Sequence, residues 1–544
     1  MDKGARTSGS ARASLPEVRA RIGPMKQSLL AVCLLSAPAA WPAQLGVVRP
    51  FEAPEWPIPE NGVDVEVLAA LRKRGLAPSP PCSDEVFVRR AFLDVIGTLP
   101  EPSEVADFVK DRRADKRAAL IEALLKRDEF AEYWALKWCD LLRVKAEFPI
   151  NLWPNAVQAY HHWIRDALRE NRPLDRLAWD LLTSSGSNFR QPAVNFYRAI
   201  QERTPDGIAE AVALTFMGAR TDGWPEEQLK GMAVFFSRVA YKRTREWKEE
   251  IVLLDPASAK ALAGVFPGGA KVEIPPHRDP RQVFAEWLIA PDNPWFARSL
   301  ANRAWSWLLG RGIIHEPDDI RPDNPPSNPG LLALLEKELV RARFDMRQLF
   351  RLILNSRTYQ QSSLSRSNHP EARTLFAHYP ARRLEAEVLL DALCRITGTG
   401  AEYSSPIPEP FTFIPEYQRT ISLADGSISS PFLETFGRPA RDTGLEAERS
   451  NQPSEAQLLH LLNSSDIQKR IERGPRLAQL ARASRWKPSE LIAQLFLLIL
   501  SRQPTPEEAA AVAKYAQGVG LRGKQALDDL VWALINGKEF LSRH

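Results

Sequence analysis

Apolar residues recur at helical spacing along most of this chain. In the stretch 84–96, Val88, Phe92 and Ile96 fall on one helical face, and Ser83 is a suitable N-cap. The same pattern predicts further helices in the first half of the chain, at about 102–111, 115–127, 128–145, 154–170, 174–184, 205–218 and 225–239. It predicts a later group at about 279–290, 295–308, 329–342, 345–355, 382–396, 454–463, 486–500, 505–517 and 523–539. The sequence therefore predicts a mainly α, multi-helical protein.

The pattern changes between the two helical groups. Residues 240–278 contain the β-type runs EEIVLLD and AKVEIPP and a Pro-Gly-Gly turn, which predict a small β insertion or linker. The stretch 397–440 is rich in Pro, Ser and Gly and is predicted to hold one or two short strands. A chain of 544 residues is long enough for two domains. We therefore expect an extended segment at 44–60, a first helical domain at 61–239, the β-containing linker at 240–278 and a second helical domain at 279–544.

The N-terminal residues are typical of a processed leader. A charged stub begins at Met25, and the apolar run from 28 to 40 that follows it is too short to cross a bilayer. Small residues at Ala37 and Ala39 form an A-x-A-like cleavage site. We therefore expect an upstream extension at 1–24, a signal peptide at 25–43, and a mature protein that is exported to the periplasm or cell envelope without an integral membrane segment.

The formal net charge of +5 is concentrated in that leader. Residues 1–43 carry six of the 72 basic side chains and two of the 67 acidic ones, which leaves the rest of the chain at +1. Such a balance provides no charge-driven affinity for nucleic acid, so no nucleic-acid partner is expected. Beyond the leader the cysteines are Cys82, Cys139 and Cys394. Three cysteines do not support a disulfide framework, but a single disulfide between two of them stays an alternative.

The densest polar segment is the Pro-rich loop at 310–329. It contains the candidate site residues His315, Asp318, Asp319, Arg321 and Asn324. In one interpretation the carboxylates and the imidazole converge on a metal or a polar substrate. In the other, hydrogen bonds from these side chains simply brace the loop.

A second polar segment, 355–362, follows a predicted amphipathic helix. Its candidates are Arg357, Tyr359 and Gln360, which either recognise a sugar or a carboxylate or cap the helix and dock its end. The helices at 329–342 and 345–355 are expected to form a hairpin, which would bring the two polar segments together. The sequence therefore predicts that Arg357 reaches Asp318 or Asp319.

Other notable residues favour structural roles. Trp134 and Trp138 are four residues apart and share one helical face, which predicts a core stripe. Asp140 and Arg143 are spaced for an ion pair along the same helix. The chain lacks a Gly-rich phosphate loop, a G-x-S-x-G elbow, an H-E-x-x-H motif and paired C-x-x-C motifs, so no standard catalytic signature is present.

Several ordered blocks resemble a known pair of domains. V-R-R-A-F-L-D-V-I-G-T-L-P at 88–100 and W-A-L-K-W-C-D-L-L-R at 134–143 resemble the first planctomycete-type domain of unknown function that accompanies cytochromes. A-E-W-L-I-A-P-D-N-P-W-F-A-R at 285–298, S-R-T-Y-Q at 356–360 and F-G-R-P-A-R at 436–441 resemble the second domain of that pair. The resemblance implies an exported protein, and the group has no established biochemical role.

The chain departs from that group at the expected haem segment. Many relatives carry C-x-x-C-H between an F-x-G block and an A-x-F-F block, whereas residues 219–224 here read A-R-T-D-G-W. Because covalent haem attachment needs the two cysteines, it is excluded, and no metal or other cofactor is expected. Relatives also often carry cysteines just before the E-R-S at 448–450, where this chain has G-L-E-A.

Two functions remain open at this point. One is a non-catalytic binding or scaffold module that works with other exported envelope proteins. The other is a hydrolase or other enzyme that acts on polysaccharide or envelope material through the 315–324 loop. Convergence of the two polar segments in one concave pocket would favour a site, and scattered caps would favour a scaffold.

Overall fold

A computed structural model of the protein describes residues 46–256, 260–412, 414, 417–485, 487–518 and 523–544. The predicted upstream extension and signal peptide, at 1–43, lie outside these residues and remain predictions. The chain is 52% helical and 6% strand, which confirms the mainly α fold class. Within the described ranges, no helix combines the length and the apolar character that crossing a bilayer requires.

The helices of the first half follow the apolar pattern. They are α1 (Gly62–Lys73), α2 (Asp84–Val95), α3 (Pro102–Lys110), α4 (Lys116–Leu125), α5 (Asp128–Leu141), α6 (Pro154–Arg169), α7 (Leu174–Thr183), α8 (Asn195–Arg198), α9 (Pro205–Val212) and α10 (Glu226–Ala233). Ser83 caps α2 as predicted, since its hydroxyl accepts a hydrogen bond from the amide of Val86. The pattern missed α1, which begins with a reciprocal cap between Asn61 and Asp64.

The second half is also helical. Its helices are α11 (Pro280–Leu288), α12 (Phe296–Leu309), α13 (Pro329–Arg341), α14 (Met346–Leu354), α15 (Ala386–Thr397), α16 (Pro431–Thr435), α17 (Glu455–Asn463), α18 (Ser465–Arg473), α19 (Pro475–Ala483), α20 (Pro488–Leu500), α21 (Pro506–Gly518), α22 (Lys524–Ile535) and α23 (Lys538–Leu541). A tight turn joins α13 to α14, in which Arg343 and Phe344 have positive φ angles of 55° and 58°. The sequence pattern missed α18 and α19.

The strands are short. They are β1 (Gly186–Ser187), β2 (Val239–Arg243), β3 (Glu250–Leu254), β4 (Leu262–Val265), β5 (Lys271–Ile274), β6 (Arg382–Arg383) and β7 (Ser542–Arg543). All pairs are antiparallel, in a sheet of order β1-β3-β2 and in the two-stranded sheets β4-β5 and β6-β7. The strands predicted within 397–440 do not form among the described residues, where only Ser404 and Ser429 make a bridge.

Aromatic side chains from distant parts of the chain meet in the core. Trp134 of α5 lies 5.4 Å from Trp307 of α12 and 4.5 Å from Phe350 of α14, measured between ring centroids. Trp134 and Trp138 are both buried, which confirms that they form a core stripe. The helices of the first half therefore pack directly on those of the second.

Two buried arginines of α2 bind the C-terminal residues. The guanidinium of Arg89 donates to the carbonyls of Ile499 and Phe540, at 2.8 and 2.9 Å. The Nε of Arg90 donates to the His544 carbonyl at 2.9 Å. Because the carbonyls of Ile499 and Phe540 are buried with Arg89, the last residues of the chain belong to the core around α2.

Candidate functional site

Arg357 does not reach the polar loop, so that prediction is wrong. Its guanidinium donates to the carbonyl of Ile58 at 3.0 Å and to the Glu60 carboxylate at 2.8 Å. Its backbone amide donates to the Asp64 carboxylate at 3.0 Å. The chain beyond α14 therefore turns toward the extended N-terminal segment and the start of α1, and Arg357 fastens that segment in place.

Tyr359 and Gln360 are also structural. The Tyr359 hydroxyl donates to the Asp94 carboxylate at 2.8 Å, and the Gln360 side-chain oxygen accepts from Arg117 at 3.0 Å. Both side chains are fully buried. Segment 355–362 thus docks the end of α14 on the first helices, and the side chains of Tyr359 and Gln360 are not accessible to a ligand.

Most polar side chains of the 310–329 loop brace the loop itself. The Asp319 carboxylate lies 3.3 Å from the Arg321 guanidinium. The Asn324 amide donates to the carbonyls of Asp319 and His315, at 2.9 and 3.3 Å. Asn328 then caps α13 by accepting from the amide of Leu331 at 3.1 Å. These contacts correspond to the bracing interpretation.

Asp318 connects the loop to a different part of the chain. It is fully buried, and one carboxylate oxygen accepts from Arg220 at 2.9 Å. The other accepts from the backbone amide of Glu446 at 3.0 Å. Asp318 thereby positions Glu446, a residue that the sequence analysis did not select.

Glu446 and His315 face the same concavity, which we call the central cleft. It has a volume of about 690 Å³ and is formed by the side of the loop that carries His315, by α12, by β6, by residues 446–453, by the C-terminal residues 538–542 and by Lys137 of α5. This volume is within the usual range for ligand pockets of about 300–1,000 Å³. Of the eight predicted site residues, only His315 lines the central cleft.

A buried ion pair between Lys137 and Glu385 lies at the wall of the cleft. Glu385 also accepts from the Tyr133 hydroxyl at 2.8 Å and from Arg543 at 3.3 Å. Burial acts to raise the pKa of Glu385, but Lys137, Arg543 and Arg449 outweigh it and hold the pKa well below its ordinary value. Glu385 is therefore ionised throughout the neutral range.

Arg449 lines the cleft and contacts the helices α5 and α15 behind it. Its guanidinium donates to Asp140 at 2.7 Å and, through two nitrogens, to Glu387 at 2.6 and 3.0 Å. Arg441 donates to the other oxygen of Asp140 at 2.9 Å.

The predicted ion pair between Asp140 and Arg143 is therefore wrong. Because α5 ends at Leu141 and Arg143 has a φ of 55°, its side chain leaves the helical face.

Glu446 has the most unusual environment of the cleft carboxylates. One oxygen accepts from the Trp307 indole at 2.9 Å and lies 3.9 Å from the Arg303 guanidinium. The side chain is only 21% exposed. Burial raises the pKa of Glu446, and the lowering effects of Arg303 and Lys137 do not cancel it. Glu446 and Glu385 therefore have pKa shifts of opposite direction in one cleft.

The mouth of the cleft carries unneutralised positive charge. Arg373 and Lys538 are exposed, and neither has an ion-pair partner among the described residues. Arg383 on the wall donates to the carbonyls of Phe436 and Ser450, at 2.7 and 2.9 Å, and not to a carboxylate. Burial, followed by the nearby charge of Arg311, lowers the pKa of His315, so this imidazole is neutral near pH 7.

The described residues contain no group of three or more His, Cys, Asp or Glu side chains that could hold a metal ion. Cys82, Cys139 and Cys394 are all free thiols. The absence of haem remains a prediction from the missing C-x-x-C-H.

Sequence reasoning missed Lys137, Glu385, Arg449 and Glu446. Two signals were available, because Lys137 lies within the W-A-L-K-W-C-D-L-L-R block and Arg449 within the E-R-S block, both of which carry the family resemblance. Neither block has a spacing typical of a catalytic motif. Their chemistry becomes visible only when the fold brings them to one cleft.

The raised pKa of Glu446 predicts a specific pH dependence for Glu446→Gln. Below the ordinary value of 4.5, the wild-type carboxyl is protonated in both folded and unfolded chains, so the variant should match the wild type. As pH rises through the raised folded-state pKa, the wild type loses this contribution to stability and the neutral amide does not. Urea unfolding from pH 4 to 8 should therefore favour the variant increasingly toward neutral pH. Stability profiles of Glu446→Gln and the wild type that run parallel across this pH range would contradict the buried environment of Glu446. The surface variant Glu371→Gln serves as the control.

Family models account for most of the chain. Residues 62–223 match PSCyt2, described as a protein of unknown function (DUF1549), and residues 280–516 match PSD1, described as a protein of unknown function (DUF1553). No curated protein and no solved structure matches the chain. Lys137 lies in the first matched segment, and Trp307, Glu385, Glu446 and Arg449 lie in the second. The chain therefore belongs to the proteins that pair these two domains of unknown function, in the order that the sequence predicts.

Proposed function

We propose that this protein is an exported binding module of the cell envelope and that its central cleft binds a ligand carrying an anionic group. The observation that supports this most directly is the unneutralised charge of Arg373 and Lys538 at the mouth of the cleft. Arg382, Arg449 and Lys137 also line the cleft, but each is paired with a buried carboxylate. The free cations at the mouth are thus the groups available to an incoming anion.

The interior of the cleft supports a polar ligand of oligosaccharide size. Trp307 and Leu541 supply apolar surface, while Ser450 and Asn451 supply hydrogen-bonding groups. A pocket of mainly apolar surface with a few convergent polar groups is typical of ligand sites. Because both matched segments contribute to the wall, the cleft needs the paired domains in one chain. We expect that another exported envelope protein carries this ligand and presents it to the cleft.

Removing the free cations tests the binding proposal. Arg373→Ala/Lys538→Ala should weaken binding of uronate or sulfated oligosaccharides about 10- to 100-fold, which corresponds to the loss of one or two charge-assisted contacts of about 1.5–3 kcal/mol in total. Isothermal titration calorimetry of the acidic oligosaccharides and their neutral counterparts measures this loss. The matched control is Arg341→Ala/Lys524→Ala, which removes exposed cations outside the cleft. Equal affinity of the wild type and the cleft variant would remove the basis of the proposal.

A hydrolase is the second candidate, and the opposite pKa shifts of Glu446 and Glu385 favour it. A carboxyl whose pKa is raised by burial can donate a proton to a leaving oxygen, while an ionised carboxylate in the same cleft stabilises positive charge. Release of reducing ends from acidic envelope polysaccharides by the wild type, abolished in Glu446→Gln, would establish the enzyme. Binding without release would leave the binding module as the function.

A further inference from the structure

Three aromatic side chains form a surface cluster that is separate from the central cleft. The ring centroids of Trp153, Trp247 and Phe411 lie 5.2, 5.5 and 5.2 Å apart, so each ring contacts both others. None of the three lines the central cleft. We call this cluster the aromatic patch.

The aromatic patch is exposed to an extent that packing does not explain. Trp247 is 62% exposed and Phe411 is 42% exposed. Large aromatic side chains contribute most to stability when buried, so an exposed cluster of them is informative where a single exposed ring is not. The rings meet at angles of 58° to 69°, which leaves ring faces uncovered by one another.

Three unconnected segments supply the rings. Trp247 lies in the turn between β2 and β3, Trp153 immediately precedes α6, and Phe411 belongs to the 397–440 stretch. Trp153 has a φ of 73°, a region that bulky residues rarely adopt. Strain of this kind persists only where the surrounding structure holds it, and it is concentrated at functional positions. The fold therefore maintains the position of Trp153 against its local preference.

Charged residues of both signs lie in the turn that carries Trp247. The Lys248 ammonium lies 4.4 Å from the Trp153 ring centroid. Arg245, Glu246 and Glu249 flank Trp247 along the same turn. Inserting the turn into a bilayer would require these charges to leave water, which is costly. Three rings are also much smaller than the roughly 800 Å² that each partner contributes to a stable protein interface.

We infer that the aromatic patch binds the sugar rings of a polysaccharide. The C–H groups on one face of a pyranose carry partial positive charge and fit the negative π-face of an indole. The equatorial hydroxyls of the same sugar then point outward, and the exposed charged residues of the turn, Arg245, Glu246 and Lys248, are the polar groups available to them. A polymer chain fits a shallow exposed cluster because it needs no enclosed pocket. This site would retain the protein on envelope polysaccharide independently of any ligand in the central cleft.

The test is co-sedimentation of the purified full chain with insoluble cellulose, chitin and peptidoglycan sacculi. We expect the wild type to bind at least one of them, Trp247→Ala to bind at least tenfold more weakly, and Trp247→Phe to retain most of the binding. Leu459→Ala, which removes an apolar side chain that is 58% exposed elsewhere, should bind like the wild type. Circular dichroism and thermal melting of each variant establish that loss of binding is not loss of fold.

Several outcomes would overturn the inference. It is wrong if the wild type binds none of the three polymers. It is also wrong if the Trp247→Ala variant binds them as tightly as the wild type. The inference also fails if Trp247→Ala leaves polysaccharide binding intact and instead abolishes binding to phospholipid vesicles or self-association in sedimentation velocity. Because Arg373 and Lys538 are unchanged in these variants, the result is independent of the cleft titrations.

Discussion

Replacing Asp94 by alanine is expected to lower the free energy of unfolding by about 3–5 kcal/mol, the range for removing one partner of a buried charged network. Asp94 is almost completely buried. One oxygen accepts from Arg382 at 2.8 Å and from Arg543 at 3.0 Å, and the other accepts from the hydroxyls of Tyr359 and Tyr379, both at 2.8 Å. Alanine would leave two guanidinium groups and two hydroxyls without this acceptor.

Urea unfolding at neutral pH, monitored by tryptophan fluorescence, measures this loss. The control is Glu226→Ala, which removes one partner of an exposed pair with Lys230 within α10. Because exposed pairs contribute little, its cost should stay far below that of Asp94→Ala. If Asp94→Ala were as mild as the control, the buried network would not contribute to holding the chain together.

Asp94 joins parts of the chain that are far apart in sequence. It lies in α2, whereas Arg382 belongs to β6 and Arg543 to β7, and the strands β6 and β7 pair with each other. The network stands directly behind the central cleft, because Arg382 also lines it. A disturbance of Asp94 should therefore alter the cleft as well as the stability of the fold.

The sequence predicts the helical class because most helices carry an apolar stripe. Helix α18 shows where this reasoning fails. Its sequence, S-D-I-Q-K-R-I-E-R, is strongly polar and buries only Ile467 and Ile471. Two apolar residues one turn apart are too few to give a clear periodic signal, although Ser464 provides a proper N-cap. Tertiary packing of that narrow face forms the helix.

The candidate site was harder to predict for a different reason. The loop at 310–329 is dense in polar residues, but its carboxylates satisfy nearby donors, and of its predicted site residues only His315 faces the central cleft. The ion pair between Lys137 and Glu385 joins residues that are 248 positions apart in the sequence, on opposite sides of the linker. Spacing along the chain carries no information about such a pair. The one signal in the sequence is the residue type of Lys137, because a charged residue within an apolar block indicates a buried charge.

The contacts of Arg449 indicate that the two matched segments are coupled through buried charge. Asp140 belongs to the first matched segment, and Arg449 and Glu387 belong to the second. The Arg449 guanidinium is almost completely enclosed, with 7% of its side chain exposed. The pKa of Arg449 lies well above its ordinary value, because Asp140 and Glu387 outweigh the opposing effect of burial. Arg449 is therefore protonated in the folded protein throughout the neutral range.

Arg449→Ala is expected to lower the free energy of unfolding by about 3–5 kcal/mol, because it leaves the buried carboxylates of Asp140 and Glu387 with fewer donors. A double-mutant cycle with Asp140→Ala isolates the contact between the matched segments. We expect the double variant to be more stable than the sum of the single effects predicts, with a coupling energy of about 1–3 kcal/mol, since Asp140→Ala removes one of the acids that Arg449→Ala exposes. Arg441 moderates the effect, because it still donates to Asp140 when Arg449 is absent. Strictly additive losses in urea unfolding would mean that the two segments are held together by apolar packing around Trp134 and Trp307 and that the bridge contributes no coupling between them.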